Sequence, residues 1–326
     1  MTNKDSDLYR AHPDWILHTP GRNASHGRYQ YVLDFSRKEV VEYIYEMMAK
    51  ILSEAKVSYI KWDMNRSITE CYSVALPADR QGEVFHRYIL GVYDLYERLT
   101  SEFPEVLFES CSSGGGRFDP GMLYYAPQGW TSDDSDAIER LKIQYGTSLC
   151  YPISSMGSHV SVIPNHQVFR KTPLHTRANV AYFGTFGYEL DLNSLKEEEI
   201  AEVKEQIIFM KKYRKLFQFG DFYRLKSPFE GNETIWMVVS EDKKTAIVGY
   251  YRTLNGVNQA YSRIKLQGLD PDMLYENILN KTENYGDELM NFGLITTDVT
   301  AGEVPGDATP CTDFESRIYI LKAKEK

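Results

Sequence analysis

The sequence contains, at residues 57–66, the run VSYIKWDMNR, in which an apolar segment ends in charged and amide side chains. Side chains on a strand alternate between two faces, so Lys61, Asp63 and Asn65 are expected to share one face. A second acidic run, WTSDDSDA at residues 130–137, follows another strand-like segment. Two carboxylates on one rim of a sheet can attack carbon and protonate the leaving oxygen of a glycosidic bond. The two runs favour the hypothesis of a glycosidase.

Strand and helix candidates alternate up to about residue 219. Such alternation predicts an α/β fold, with a parallel sheet and helices outside it. The predicted strands cover residues 29–33, 57–62, 106–110, 128–132, 151–154 and 180–184, and the predicted helices cover residues 36–55, 83–102, 137–145 and 194–216.

After residue 219 the pattern changes to short strands separated by Gly, Asn, Asp and Pro, which is typical of antiparallel sheets. We therefore predict two domains, a catalytic domain at residues 1–219 and a small antiparallel β-sandwich at residues 220–326. The predicted strands of the second domain are residues 234–239, 246–251, 262–266, 274–278 and 318–321.

The composition narrows the possible partners. A net charge of -9 argues against a nucleic-acid partner, because neutralising phosphates needs a basic surface. No segment approaches about twenty uninterrupted apolar residues, so no membrane span or membrane partner is expected. The four cysteines are widely spaced and lack metal-ligand spacing, so we predict no metal, no cofactor and reduced thiols in a cytoplasmic protein. The first residues also lack the apolar core of a signal peptide.

A glycine-rich loop lies between the two acidic runs. Residues 108–120 read FESCSSGGGRFDP, and three consecutive glycines allow a ligand to approach the backbone closely. The loop lacks both the lysine with Ser or Thr of a phosphate-binding loop and the spacing of a dinucleotide site. A nucleotide ligand is therefore not expected.

At these residues the chain resembles a known family. The strings KWDMNR, CSSGGGRFDPG, GWTSDDSDA, YPISSMGSHVS and FGYELDL, in this order, closely resemble the catalytic half of microbial alpha-galactosidases of glycoside hydrolase family 36. The resemblance implies a retaining enzyme with a TIM-type (β/α)8 barrel, acting on an alpha-galactoside such as melibiose or raffinose. It implies that Asp63 is the nucleophile and Asp133 the acid/base. The substrate-binding residues that it implies are Arg28, Lys61, Asn65, Cys111 and Gly114, and Trp62 is a further substrate-binding candidate.

Residue type alone leaves several of these roles open. Asp134 or Asp136 could take the acid/base role or cap the following helix. Trp62 is as compatible with barrel packing as with stacking on a sugar, and Trp130 is open in the same way. A residue of the type of Cys111 is more often an inert buried thiol. Two arginines are open as well, since Arg28 could be a solvated loop residue and Arg117 is expected to support the glycine loop.

The barrel is expected to be incomplete. A closed barrel has eight strands and roughly 250 residues, and fewer strand candidates precede residue 220. By resemblance, residues 57–63 correspond to the fourth barrel strand and Met1 falls just after the third, so the first three strands are missing. Two hypotheses follow. One is a working alpha-galactosidase, either assembled with a separate N-terminal half or excised from a longer enzyme. The other is a non-catalytic truncated fragment or subunit. The resemblance offers two partners, a further copy of the chain, as in the tetramers of bacterial relatives, or the missing N-terminal half.

Overall fold

The computed structural model describes residues 1–257, 262–296 and 313–324. The chain divides into two compact units, Met1–Trp130 and Thr131–Lys326. The first unit is built around a parallel sheet, whereas the second contains a pair of parallel strands followed by an antiparallel sheet. None of the described helices is long and apolar enough to cross a membrane.

The first unit contains five strands and four helices. Its strands are β1 (Thr2–Asn3), β2 (Gln30–Tyr31), β3 (Tyr59–Asp63), β4 (Leu107–Cys111) and β5 (Gln128–Gly129). Its helices are α1 (Asp7–Ala11), α2 (Lys38–Glu54), α3 (Val84–Glu102) and α4 (Pro120–Tyr125). The parallel sheet has the order β3-β4-β5, and β3 pairs with β4 from Tyr59 opposite Leu107 to Asp63 opposite Cys111. Asp63 and Cys111 therefore end neighbouring strands side by side.

The core of the first unit lies between the sheet and the two long helices. The rings of Trp62 and Phe108 both lie against Tyr96 of α3. The Trp62 centroid is 5.3 Å from the Tyr96 centroid, and the Phe108 centroid is 5.6 Å from it. Gly91 lets α3 approach the backbone of Phe35, because a Cβ atom there would lie 1.8 Å from the Phe35 oxygen. The helices bury apolar side chains at helical spacing, namely Val40, Val41 and Leu52 of α2 and Val84, Tyr88, Leu95, Tyr96 and Leu99 of α3.

The second unit begins with a parallel pair of strands and three helices. These are β6 (Gly157–Ser161), β7 (Thr185–Glu189), α5 (Ala137–Ser148), α6 (Leu174–Ala181) and α7 (Glu197–Phe219). The strands β6 and β7 pair in parallel from Gly157 opposite Thr185 to Ser161 opposite Glu189. Among the described residues, the parallel strands of the chain thus form two open sheets.

The remainder of the second unit is mainly an antiparallel sheet. Its elements are β8 (Asp221–Lys226), β9 (Glu233–Val239), β10 (Thr245–Arg252), β11 (Arg263–Ile264), β12 (Leu274–Asn277), β13 (Glu283–Tyr285), α8 (Gly286–Asn291), β14 (Leu294–Ile295) and β15 (Glu315–Ala323). Six strands have the order β13-β12-β15-β10-β9-β8, and β11 pairs with β14. The central strands β9 and β10 are almost entirely buried and rich in β-branched and aromatic residues, which suits a pleated surface.

Two predicted strands are wrong. Residues 151–154 lead into a short 3-10 turn, Ile153–Ser155, and the strand begins only at Gly157. Residues 180–184 include the end of α6, and the strand begins at Thr185. A short apolar run does not distinguish a strand from a buried helical turn by its periodicity, and here tertiary burial decided for the helix.

The start of α2 and several strands also differ from expectation. The helix α2 begins at Lys38, two residues after its predicted start, with Arg37 as the N-cap, and the Ser36 hydroxyl donates a hydrogen bond to Asp34 Oδ1. The sequence did not predict β8, β13, β14 or the short β1. The last three are two or three residues long, which is too short for a period of two to stand out.

Candidate functional site

The exposed face of the parallel sheet in the first unit carries the first group of predicted site residues. Along β3, Lys61 and Asp63 are exposed, whereas Ile60 and Trp62 are half-buried on the opposite face. This alternation places Lys61 and Asp63 on one face, as the run KWDMNR predicts. A carboxylate is thereby presented at the carboxyl end of a parallel strand, where active sites of α/β proteins commonly lie.

Asn65 connects Asp63 to the glycine-rich loop. Its Nδ2 atom donates a hydrogen bond of 2.6 Å to Asp63 Oδ2, and its Oδ1 atom accepts one of 3.1 Å from the backbone N–H of Ser113. Ser113 and Gly114 both have positive φ, at 48° and 79°, and glycine adopts such a backbone without steric cost. The tight turn therefore brings the loop backbone to the amide that orients the carboxylate.

Cys111 is the next member of this group. It is buried and lies opposite Asp63 in the strand register. Burial raises the pKa of the Cys111 thiol to about 11, and a hydrogen bond to the Asp63 carboxylate raises the pKa further, while the Gly114 backbone and the charge of Lys61 oppose the shift. The thiol is thus neutral at physiological pH and contacts Asp63 as a weak donor.

Lys61 has a partner that the sequence analysis missed. Its Nζ atom lies 3.5 Å from Glu109 Oε1 and 4.6 Å from the centroid of the Trp130 ring. Glu109 is buried on β4, where the strand register places it directly opposite Lys61. The sequence shows that Glu109 precedes Cys111 by two residues, as Lys61 precedes Asp63, which gives the face of each strand but not the register between the two strands.

Other predicted residues of the first unit are placed differently. Trp62 packs against Tyr96 and Phe108 on the face opposite Asp63, a position that favours the packing role over stacking on a sugar. Trp130 is buried beneath the Lys61 ammonium. Arg28 is exposed with a φ of 53°, and its side chain makes no hydrogen bond or ion pair with any residue that the structure describes.

Arg117 follows the glycine loop and supports its base. Its Nη1 atom donates to Met64 Sδ at 2.6 Å, and Nη2 donates to the backbone oxygens of Met64 at 3.3 Å and Cys111 at 3.5 Å. These contacts join the ends of β3 and β4, so the role of Arg117 is structural. The same strand ends line a largely apolar cavity of about 360 Å³.

The acidic run of the second unit contains three aspartates in different environments. Asp136 is the N-cap of α5: its Oδ2 atom accepts hydrogen bonds of 3.1 Å from the N–H groups of Ile138 and Glu139, and it is paired with Arg170. Asp134 Oδ1 accepts a hydrogen bond of 3.0 Å from the N–H of Asp136. Asp133 is exposed, and its carboxylate has no hydrogen-bond or ion-pair partner among the described residues.

Arg140, which the sequence analysis did not single out, fixes the loop that carries these aspartates. Its side chain is buried on α5 and donates to the backbone oxygen of Ser132 at 3.3 Å and to that of Gly157 on β6. Burial lowers the pKa of Arg140 to about 10, and the charges of Asp134 and Glu189 oppose the shift, so the guanidinium stays charged at neutral pH. The only sequence signal was an arginine on the buried face of a helix.

Two histidines of the second unit lie in different environments. His159 on β6 lies 3.3 Å from Glu189 on β7, measured from Nδ1 to Oε2, whereas His166 is exposed in the following loop. Among residues 1–257, 262–296 and 313–324, no three His, Cys, Asp or Glu side chains are grouped so that they could hold a metal ion. Three cysteines, Cys71, Cys111 and Cys150, are free thiols, and Cys311 lies outside the described residues.

Comparisons with known proteins identify the family. The melibiase family model matches residues 1–220, and the model of the glycosyl hydrolase family 36 C-terminal domain matches residues 233–321. The alpha-galactosidase AgaA of Geobacillus stearothermophilus is 56% identical over the whole chain, and an alpha-galactosidase of Pediococcus pentosaceus is 47% identical over 99% of it. In each case the match covers 43% of the relative.

Solved structures agree with the sequence comparisons. A variant of the Geobacillus AgaA enzyme in complex with raffinose superimposes with a TM-score of 0.93 at 52% identity, covering 99% of this chain and 43% of that one. The alpha-galactosidase of Lactobacillus brevis superimposes with a TM-score of 0.95 at 50% identity, covering all of this chain and 43% of that one. The chain thus spans less than half the length of these relatives and corresponds to their C-terminal part. The resemblance found in the sequence is confirmed, and the chain belongs to the alpha-galactosidases of glycoside hydrolase family 36.

Proposed function

We propose that this chain carries the catalytic carboxylates of a retaining alpha-galactosidase. One observation carries the proposal: Asp63 stands exposed at the end of β3, held by Asn65 and adjoined by Cys111, on the face that also presents Lys61. A carboxylate fixed in this way and flanked by hydrogen-bond donors suits attack on a sugar carbon. The identity of the sugar, galactose, is inferred from the family, since the relatives of this chain are named alpha-galactosidases.

The mechanism that we propose has two displacements. An oxygen of Asp63 attacks the anomeric carbon, the glycosidic carbon–oxygen bond breaks, and Asp133 gives its proton to the leaving oxygen. Asp133, now a carboxylate, takes a proton from water, which attacks the same carbon and breaks the ester to Asp63. The galactose leaves with its configuration retained. Asp134 and Asp136 are less suited to the acid/base role, because their carboxylates hold the loop and the helix N-terminus.

We propose that the substrates are terminal alpha-galactosyl groups of oligosaccharides. Structures of the Geobacillus relative contain raffinose and stachyose, which are such oligosaccharides. In this chain, the Lys61 ammonium, the Asn65 amide and the backbone at Gly114 offer donors to sugar hydroxyls around Asp63. We also propose that the exposed side chain of Arg28 binds hydroxyl groups of the sugar. Cys111, a small residue beside Asp63, would leave room for a hydroxyl.

The finer architecture is also a proposal. We assign residues 1–219 to a (β/α)8 barrel that lacks its first three strands and residues 220–326 to a β-sandwich domain, with the longer relatives supplying the precedent for a preceding segment. In the described part of the chain, β3 is an edge strand, and Tyr59 and Leu107 expose large side chains on or near it. An edge of this kind is a template for pairing with a further strand. Oligomerisation and a cytoplasmic location stay predictions.

The edge position of β3 favours one alternative, in which the chain needs a separate N-terminal segment for activity. The experiment is to express residues 1–326 alone and joined to the preceding part of the Geobacillus relative, and to measure hydrolysis of an aryl alpha-galactoside by both. Activity of the chain alone would reject the alternative, and activity of only the joined protein would support it.

The nucleophile is tested in whichever form is active. Asp63→Gly should abolish hydrolysis, because the attacking oxygen is removed, and added azide should restore turnover with formation of the beta-galactosyl azide. The control is Asp5→Gly, which removes an exposed carboxylate far along the sequence from the site. Absence of activity from both wild-type forms would reject the proposed function, and full activity of Asp63→Gly would reject this residue as the nucleophile.

A further inference from the structure

We infer that the buried carboxylate of Glu109 is a positioning residue, which holds the Lys61 ammonium on the face of the sheet that carries Asp63. The inference deepens the proposed function and rests on it for the consequence in catalysis. The placement itself depends only on contacts within the first unit.

The strand register brings the participating side chains into one row across the sheet. Lys61 of β3 lies opposite Glu109 of β4, and Glu109 lies opposite Gln128 of β5. The next row towards the carboxyl ends contains Asp63 opposite Cys111. Side chains of the two rows stand on the same face, because they are separated by two residues along each strand. Glu109 therefore lies directly below the catalytic row.

Glu109 is held so firmly that it can fix a flexible partner. Its Oε2 atom accepts a hydrogen bond of 2.9 Å from Gln128 Nε2 and another from the hydroxyl of Tyr59. The side chain of Glu109 is 2% exposed, whereas that of Lys61 is 36% exposed. A carboxylate withdrawn from water is costly unless cations and donors surround it, so this one strongly favours a nearby ammonium.

Lys61 needs such a partner to act at a defined point. A lysine side chain has four rotatable carbon–carbon bonds and loses considerable rotamer entropy when it is ordered. Here Glu109 Oε1 lies 3.5 Å from Nζ, and the ring of Trp130 covers the ammonium at 4.6 Å. An ammonium has three N–H donors, so one directed at Glu109 leaves others for Asp63 or a sugar hydroxyl. Without Glu109, the exposed alternative conformations of Lys61 would become populated.

The ring of Trp130 provides a direct measure of this placement. Lysines of the 326-residue chain are converted to 13C-dimethyl lysines, which remain cationic, and the Lys61 signal is assigned by its loss in Lys61→Arg. Methyl groups above an indole ring are shifted upfield by the ring current, so we expect an upfield signal for Lys61. In Glu109→Gln, which keeps the shape of the side chain but removes the charge, this signal should move towards the position of exposed lysines.

Two further variants keep the measurement decisive. Tyr59→Phe removes one hydrogen bond to Glu109 and should move the Lys61 signal in the same direction by a smaller amount, which serves if Glu109→Gln does not fold. Glu105→Gln removes an exposed carboxylate of the same unit and should leave the signal unchanged. Circular dichroism and thermal unfolding establish that each variant is folded.

Kinetics of the turnover-competent form test the catalytic consequence. Glu109→Gln should lower kcat/KM on the order of 10- to 100-fold, the range expected when a hydrogen bond to a charged group is lost. Because Glu109 acts through Lys61, the double variant Glu109→Gln/Lys61→Met should be no slower than Lys61→Met alone. A residue with only a structural role would slow the double variant further.

Each result decides the inference. An unchanged Lys61 signal in folded Glu109→Gln would overturn it, even if the chain proves to be an alpha-galactosidase. A moved signal with additive rate losses would overturn the positioning role in catalysis. Absence of activity in every form would reject the proposed function, while the spectra would still decide whether Glu109 places Lys61.

Discussion

At the scale of the residue, the acidic run shows how identical side chains take different tasks. Asp136 caps α5 and pairs with Arg170, Asp134 receives the N–H of Asp136, and Asp133 projects into solvent. A carboxylate whose oxygens already accept hydrogen bonds from a helix N-terminus or its loop is needed there to hold the backbone. The one carboxylate of the three without such partners among the described residues is the better acid/base candidate.

Stability and activity should therefore separate between these aspartates. Asp136→Ala should lower the free energy of unfolding by about 1–2 kcal/mol, because α5 loses its cap, whereas Asp133→Ala should change it by less than about 0.5 kcal/mol. Asp133→Ala should slow galactosides with poor leaving groups by about 10²–10⁴-fold and activated aryl galactosides much less. Urea unfolding and kcat/KM for both substrates are the measurements. An equal loss for both substrates would transfer the acid/base role to another residue.

The sequence predicted the positions of some of these side chains and not of others. The period of two along a strand was sufficient to put Lys61 and Asp63 on one face. Residue type alone left the cap of α5 open between Asp134 and Asp136, and the structure shows that Asp136 is the cap. Glu109 was missed because its role depends on a register between strands that are far apart in sequence, which local alternation does not determine.

At the scale of the element, one buried arginine connects the aspartate loop to the neighbouring strand. Arg140 of α5 reaches the backbone oxygens of Ser132 and Gly157, and its Nε atom lies 3.4 Å from Gln144 Oε1. The oxygens that it satisfies belong to a loop and a strand, so the helix, the loop and β6 are fixed together. Arg140 thereby limits the positions that Asp133 can take.

Replacing this arginine should weaken the second unit much more than an exposed change on the same helix. Arg140→Met should lower the free energy of unfolding by about 3 kcal/mol, because charge-assisted hydrogen bonds to buried oxygens are lost. The matched control is Lys142→Met on the exposed face of α5, where an ion pair with Glu139 should contribute at most about 0.5 kcal/mol. Chemical denaturation of the whole chain measures both. Equal stability of the two variants would show that Arg140 does not hold these elements.

Elements with strong periodicity were predicted well, and short ones were not. The long amphipathic helices α2 and α3 and the buried strands β9 and β10 lie within one or two residues of their predicted bounds. The predictions at residues 151–154 and 180–184 failed because apolar residues there are buried in a turn and in the end of α6. In such short runs, packing against other elements decides between helix and strand.

At the scale of the whole molecule, the chain spans 43% of the length of the Geobacillus relative, and β3 is a sheet edge in the described part. The five sequence strings were sufficient to identify the family, because their residues and their order are specific. Closure of a barrel could not be predicted from strand counts alone, since it depends on strand pairing across long separations in sequence.

In the proposed mechanism, Asp63 forms the covalent bond to the sugar. The most direct measurement treats the active form with a galactose-configured epoxide, which esterifies an attacking carboxylate, and identifies the modified residue by mass spectrometry of peptides. We expect a single ester on Asp63, which disappears in Asp63→Gly and when galactose competes for the site. An ester on Asp133, Asp134 or any residue other than Asp63 would contradict it.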